Sequence, residues 1–420
     1  MSHRRVTILT GPGKLHLFEA ARVLSRDGNA VTVVSGWMPA PKGLEWLDSL
    51  GRLLGQPNLH QRISGRRAEL EGYAQIKSCA LAECGHHALG LLSRTGIIDE
   101  DLAGAMGFTL FGYSARRRID GAEVIHVRSG AGRGGAIEYA RRHGIKVVVD
   151  HSIAHPDAIS EALTPEYERY GMKCPINGQT EFWKLVLRDC EEADVLLVNS
   201  DYVKNTFKKY GFPDAKQQVV YWGVGEEFWG IKSSYESEGP IKLLFSGHFE
   251  LRKGARVLLE ACQILKARGV RFKLQVLGFM GSGRLALAEF PVGKEVEFVA
   301  FAPRSVLIEH LRKADLFVFP TLAEGSARSA MEAMAAGLPV ITTESCGVPI
   351  EDGVNGVYVE LGSAKSLADA IERLSQDQTA RMRLGMKARE SISSRYTWEA
   401  FAQSVSGIYD RLLSHRSALQ

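Results

Sequence analysis

The sequence predicts an α/β protein of two domains, each built on a parallel sheet. Three observations predict it. The chain has 420 residues, too many for one ordinary domain and suited to two of roughly 200 each. Short, fully apolar runs alternate with helical stretches from end to end, the pattern of strands buried on both faces of a parallel sheet. Near residue 235 the alternation breaks into KSSYESEGP, polar and turn-forming, and IKLLFSG then begins a second series.

Taken in order, residues 6–9 (VTIL) are a short β-branched run, and Gly11-Pro12-Gly13 is the turn after it. Leu17, Ala20, Ala21 and Leu24 recur at three- and four-residue steps on one helix face, which Gly28 closes. Val31 to Val34 form the next strand. Further buried strands are expected at 123–127, 146–150, 194–199, 241–246, 272–277, 315–319 and 339–342. Residues 50–120 read as helical and loop-rich, an insertion or cover over the first sheet. The domains are placed at 1–234 and 240–398. The last helix, Glu399 to Leu413, has Phe401, Val405, Ile408 and Leu412 on one face and is expected to pack back on the first domain.

Composition narrows the function. An apolar content of 45% with 24% charged residues describes a globular protein with a large core. A net charge of +4 is small for this length and argues against a nucleic-acid binder. A basic excess between Arg52 and Lys146 includes Arg66, Arg67 and Arg116 to Arg118. It reads as solvated surface, with an anionic membrane or acceptor surface as the alternative. The six cysteines show no metal-ligand or CxxC spacing, which points to a reducing compartment. The basic start has an apolar run too short for a signal peptide, and no stretch approaches the ~18 apolar residues of a span. A cytoplasmic protein is expected. Asp99-Glu100-Asp101 follows no strand and reads as a charged helix start, not a metal motif.

The chemistry concentrates in two places. Strand 315–319 runs into PTLAEGSARSAMEAMAAGLPVI. Ser326 is the expected N-cap of a helix from about Ala327 to Ala336, stopped by Gly337-Leu338-Pro339. Glu332 then lies on the helix and Glu324 in the loop before it, at the carboxyl end of a strand, where open α/β sheets bind ligands. The helix N-terminus suits a phosphate or a sugar hydroxyl. A carboxylate accepts two hydrogen bonds, so Glu332 suits a ribose diol, while Glu324 could face a transferred sugar. In FSGHFELRKGARVLLEAC a strand ends at Gly247, a loop carries Arg252 and Lys253, and Gly254 opens a helix. Such cations stabilise a diphosphate as it gains charge on leaving.

These segments resemble the retaining glycosyltransferases of family four, which have the two-domain GT-B fold. The resemblance rests on GHFELRKG, on ADLFVFPTLAEG with seven residues between its Glu and Glu332, and on EAMAAGLPVI. CGVPIEDGVNG and RYTWEAFAQSVSGIYDRL add to it, so that it covers about residues 190–413. It implies two Rossmann-like domains facing a cleft. It also implies Glu332 on the ribose, Glu324 with Gly325, Ser326 and Ala327 by the donor sugar, and Arg252 with Lys253 on the diphosphate. The loop Gly11-Pro12-Gly13-Lys14 resembles the family's glycine loop facing the cleft, so Gly13 joins the donor-site candidates. In VVVDHSIAHP, His151 fits the family's donor-sugar histidine better than His155. Trp222, Phe228 and Trp229 resemble the segment before the linker and are expected near the cleft or the terminal helix. Two departures are clear: His248 stands where many members carry Arg, and Glu324-Gly325-Ser326-Ala327 replaces Glu-Gly-Phe-Gly.

The expectation is a retaining transferase moving a hexosyl-type sugar from a UDP- or GDP-sugar to a glycan or lipid-linked acceptor in bacterial cell-surface polysaccharide or glycolipid synthesis. No metal, no cofactor and no nucleic-acid partner are expected, and peripheral contact with the inner membrane face is left open. A nucleotide-sugar isomerase or epimerase on the same fold would need several acid/base groups at the sugar. A non-catalytic nucleotide-sugar binder would not need the retained Glu324, Glu332, Arg252 and Lys253.

Overall fold

The computed structural model describes residues 4–13, 17–39, 66–300 and 303–417. The first sheet contains β1 (Arg5–Leu9), β2 (Ala30–Ser35), β3 (Gln75–Ser78), β4 (Val124–Arg128), β5 (Lys146–His151), β6 (Val195–Val198) and β7 (Gln217–Val219). Their order is β3-β2-β1-β4-β5-β6-β7, and every pairing is parallel. The second sheet contains β8 (Ile241–Ser246), β9 (Phe272–Leu277), β10 (Val296–Val299), β11 (Leu316–Phe319), β12 (Val340–Thr342) and β13 (Val357–Tyr358). Its order, β10-β9-β8-β11-β12-β13, is likewise parallel throughout. The central strands β4, β11 and β12 are buried at nearly every position, on both faces. These are two Rossmann-like α/β domains.

Helices cover the sheets. In the first half they are α1 (Leu17–Arg26), α2 (Ala80–Arg94), α3 (Glu100–Ala115), α4 (Ala136–Arg142), α5 (Pro156–Glu168), α6 (Glu181–Glu192) and α7 (Asp201–Lys209). In the second half they are α8 (Ala255–Ala267), α9 (Gly283–Glu289), α10 (Arg304–Lys313), α11 (Arg328–Ala336), α12 (Ala364–Gln376), α13 (Gln378–Arg395) and α14 (Trp398–Ser417). Within residues 50–120, β3 is a strand of the sheet rather than part of a cover. Gln75 to Ser78 carries one large apolar residue in four, enough for a sheet edge and too little to show as a buried run. α2 and α3 follow it as an antiparallel hairpin, and Asp99 caps α3 by accepting from the Asp101 and Leu102 N–H groups. Among the described residues no helix is long and apolar enough to cross a membrane.

The chain crosses from the first sheet to the second and returns. On the way out, Gly230 N–H donates to Ala335 O at 3.0 Å and Lys232 N–H to Ala336 O at 2.9 Å. On the way back, Val224 N–H donates to Tyr396 O at 3.1 Å. α14 then lies against α1 and buries Phe401, Ala402, Val405, Ile408 and Tyr409 with Leu17, Phe18, Ala21 and Leu24. Polar ties fix its register. Tyr409 Oη is 2.6 Å from His126 Nδ1, and Asn29 Nδ2 donates to Ser406 Oγ at 3.0 Å.

Candidate functional site

Two loops of the second domain are laced together at the carboxyl ends of β8 and β11. Leu322 N–H donates to Arg252 O at 2.8 Å, and Arg252 Nη1 donates back to Ala323 O at 2.8 Å. Glycine is required where they meet. Gly254 has φ +77°, and a Cβ there would lie 1.9 Å from Pro320 O. The lacing sets Arg252 Nη1 2.9 Å and Lys253 Nζ 3.7 Å from Glu324 Oε1. Arg252 Nη1 thus faces both Ala323 O, as a hydrogen bond, and Glu324 Oε1, as an ion pair. The acidic and basic candidates, far apart in sequence, therefore share one site.

The helix after Glu324 differs from expectation in its cap. α11 begins at Arg328 with Ala327 at the N-cap, and no side chain, Ser326 included, caps it. The reason is tertiary: Glu324 N–H donates to Ser345 O and Ala327 N–H to Cys346 O, so a neighbouring loop fixes the boundary. Glu332 follows on α11 with its side chain 15% exposed and Arg328 Nη2 at 3.9 Å. Burial pushes its carboxyl above the ordinary value, with Arg328 opposing. Glu332 opens on an interdomain cavity of about 840 Å³, lined also by Ser326, Arg304, Trp222, Trp229 and Trp398. Phe228, by contrast, is buried in the second-domain core.

The first domain meets this site edge-on. Ala154 N–H donates to Glu324 O at 3.2 Å, and Ser200 Oγ donates to Gly325 O at 2.5 Å. A Cβ on Gly325 would lie 1.9 Å from Ser152 O. His151 is the last residue of β5, is 1% exposed, and has Ser129 Oγ 2.9 Å from Nδ1. Its Nε2 is buried without a hydrogen-bond partner. Burial lowers its pKa to about 3. Asn199, at the end of β6, donates Nδ2 to Ser152 O at 3.3 Å, and its Oδ1 is also buried and unpartnered. Orphaned buried polar atoms are rare and call for an explanation such as a ligand. Here two of them, on His151 and Asn199, flank one contact, beside the ion-paired Glu324.

The remaining candidates sit apart. His155 is the N-cap of α5, accepts from Asp157 N–H and stacks on Tyr210 with ring centroids 4.4 Å apart. Burial lowers its pKa to about 4. Gly13 lies past the carboxyl end of β1 with φ +103°, and a Cβ there would meet nothing within 4 Å. Glycine is therefore needed at this position for conformation and not for space. Lys14 lies outside the described residues. His248 is exposed and 3.4 Å from Glu250. Asn199 and Ser200 are functional-site residues that the sequence does not single out. The only available signal was Asn-Ser directly after an apolar strand.

Residues 229–391 match the family model for glycosyl transferases group 1. The amylovoran biosynthesis glycosyltransferase AmsK of Erwinia amylovora is 30% identical over 232 residues, 53% of this chain and 57% of that protein. The putative colanic acid biosynthesis glycosyltransferase WcaL of Salmonella typhimurium is 27% identical over 228 residues, 51% of this chain and 56% of that protein. The chain thus spans just over half the length of these curated relatives. Among solved structures, sucrose-phosphate synthase of Thermosynechococcus elongatus superposes with a TM-score of 0.68 at 15% identity, covering 99% of this chain and 100% of that one. HepE of Anabaena, in complex with UDP and glucose, gives 0.61 at 15% identity, covering 97% and 100%. The fold is GT-B.

Proposed function

We propose that the chain is a retaining glycosyltransferase that moves a hexosyl-type sugar from a UDP- or GDP-sugar to a hydroxyl of a glycan or lipid-linked acceptor. The observation that carries the reading is the convergence of Arg252 and Lys253 on Glu324, at the contact that Ala154 N–H and Ser200 Oγ make with the Glu324–Gly325 backbone, next to a cavity faced by Glu332 and within a domain that matches the glycosyl transferases group 1 model. In this reading Glu332 accepts from the ribose diol, and Arg252 and Lys253 turn to the diphosphate. Glu324 and the Gly325–Ala327 backbone touch the sugar, and Gly13 borders the cleft from the first domain.

The bond between the sugar C1 and the diphosphate oxygen breaks, and its electron pair leaves with the diphosphate. Arg252 and Lys253 stabilise that charge in place before the reaction begins. The acceptor hydroxyl adds to C1 from the face the diphosphate leaves, and its proton passes to the departing phosphate oxygen. In this reading Ser129 Oγ–H donates to Nδ1, so that His151 carries its proton on Nε2 and donates it to a sugar hydroxyl. Neither step requires a metal or cofactor. The chain's relatives in amylovoran and colanic acid synthesis favour a cell-surface polysaccharide as product. The six cysteines, all unpaired, suit a reducing cytoplasm.

Incubation with labelled UDP- and GDP-sugars tests the reading, with UDP-glucose first because HepE is described with UDP and glucose. Release of nucleotide with transfer of label supports it. Conversion of the donor in place would make the protein an isomerase, and binding without turnover would make it a binder. Transfer that survives Glu332→Ala would sink the site assignment.

A further inference from the structure

α5 is shared between the two domains. Its first half is tied to the first domain, where His155 N–H donates to Thr206 Oγ1 at 3.0 Å and Lys209 and Tyr210 both bond to Glu161. Its apolar side is not. Ala154, Ile159 and Leu163 are buried in the core of the second domain, and Tyr167 packs against that same core. One helix therefore has a seat on each side of the cleft, and it begins just past His151 at the end of β5.

The seat on the second domain ends in a buried ion pair. Arg256 Nε donates to both carboxylate oxygens of Glu166, each at 2.8 Å, and the side chains are only 12% and 6% exposed. Glu166 lies in the last turn of α5, and Arg256 in the first turn of α8, directly after the basic loop. Beside it, Tyr167 faces Ser282, whose Oγ accepts from Leu251 N–H at 3.0 Å. The turn Leu251–Lys253 is thus met by α5 at its start through Ser282 and at its end through Arg256. A buried ion pair adds little net stability, because desolvating two charges offsets their attraction. What it fixes is geometry, since a planar guanidinium on a carboxylate tolerates few arrangements. The nearby Arg169–Glu289 pair is open to water and holds far less firmly.

We propose that Glu166 is a positioning residue for the transfer, holding the basic loop of the second domain, through Arg256, opposite the end of β5 in the first. The connection is short. β5 ends at His151, α5 runs from there to Glu166, and Arg256 follows Lys253 across Gly254 and Ala255. Arg252 and Lys253 are thereby set against the carboxyl edge of the first sheet, where the sugar must meet both the acceptor and the leaving diphosphate. A misplacement of about 1 Å at such a point can cost about a hundredfold in rate. Neither Glu166 nor Arg256 lines the cavity before Glu332, so both act through the loop. The catalytic part of this role rests on the transfer reading; the holding of the loop does not.

The test uses the full chain with Glu166→Gln, which removes the charge and keeps the shape. Arg256 stays paired with Glu260 on its own helix, so the variant should fold. Hydrogen exchange is followed first, without donor. Ala154 N–H, bonded across the domains to Glu324 O, should exchange about tenfold faster, as should Ala255 N–H, bonded to Glu250 O. Leu244, in an interior strand of the second sheet, should keep its rate. In turnover, kcat should fall about tenfold or more while KM for the donor stays within about threefold. Arg256→Lys keeps the charge but loses the fork, and it should give the same pattern if Glu166→Gln misfolds. Unchanged exchange at Ala154 in a folded variant overturns the proposal. So does faster exchange that includes Leu244, which would make the pair a stability element alone. A raised donor KM with kcat intact also overturns it, because Glu166 would then serve donor binding only. If the wild-type chain transfers no sugar, the transfer reading fails by itself, and exchange at Ala154 and Ala255 decides whether Glu166 holds the loop.

Discussion

Glu324 and Glu332 carry the same charge in different surroundings. Glu324 is met by Arg252 and Lys253, whereas Glu332 has one guanidinium nitrogen at 3.9 Å and a cavity in front of it. Glu332→Ala is therefore expected to weaken nucleotide-sugar binding by about ten- to a hundredfold, the worth of hydrogen bonds to a charged group, measured by calorimetric titration. The buried histidines give a pH signature. His151 is held near a pKa of about 3 and His155 near about 4, both below the ordinary value through burial. Above about pH 6.5 both are neutral whether the chain is folded or not, and neither affects stability. Below it the unfolded chain takes up protons that the folded chain refuses. Each histidine then lowers stability by up to about 1.4 kcal/mol per pH unit until its folded pKa is reached. Melting temperatures from pH 7 to pH 5 should fall less steeply for His155→Phe than for the wild-type chain; parallel curves would count against this. The glutamates were legible because each lies near a strand end in a recognisable segment. Asn199 and Ser200 were not, because their significance comes from Ser152 and Gly325.

At the scale of elements, the strands visible in the sequence are the interior ones. The four without a clear apolar run, β3, β7, β10 and β13, are the four sheet edges. An interior strand is apolar on both faces and stands out as a block, whereas an edge strand need not be. QQV and the two-residue VY give periodicity nothing to detect. The cap of α11 was misread for a related reason, since backbone bonds from the Ser345–Cys346 loop outweigh the local preference of Ser326. Two glycines with nearly equal φ separate conformation from space. Gly269 has φ +73° and open surroundings, so Gly269→Ala should cost about 1 kcal/mol. Gly254→Ala adds a contact of 1.9 Å with Pro320 O and should cost clearly more in chemical denaturation while disturbing the basic loop.

For the whole molecule, the domains meet where Gly325 passes Ser152 without room for a methyl group. Gly325→Ala should hold them apart and lower kcat by about tenfold or more, while binding of free nucleotide at Glu332 persists. Equal kcat in that variant would show that the contact is not needed for turnover. The fold of both halves was legible from alternation alone, and the amphipathic face of the final helix from its spacing. Its polar ties were not, because Tyr409 and His126 lie 283 residues apart. Tyr409→Phe should destabilise the first domain by about 1–2 kcal/mol by leaving His126 Nδ1 unpaired. That distance has a temporal meaning as well. α14 leaves the ribosome after the entire second sheet, yet it fills the core of the first. A nascent first domain must therefore wait, with the α1 face bare, until the second has been synthesised, and is open to holdase chaperones for that interval.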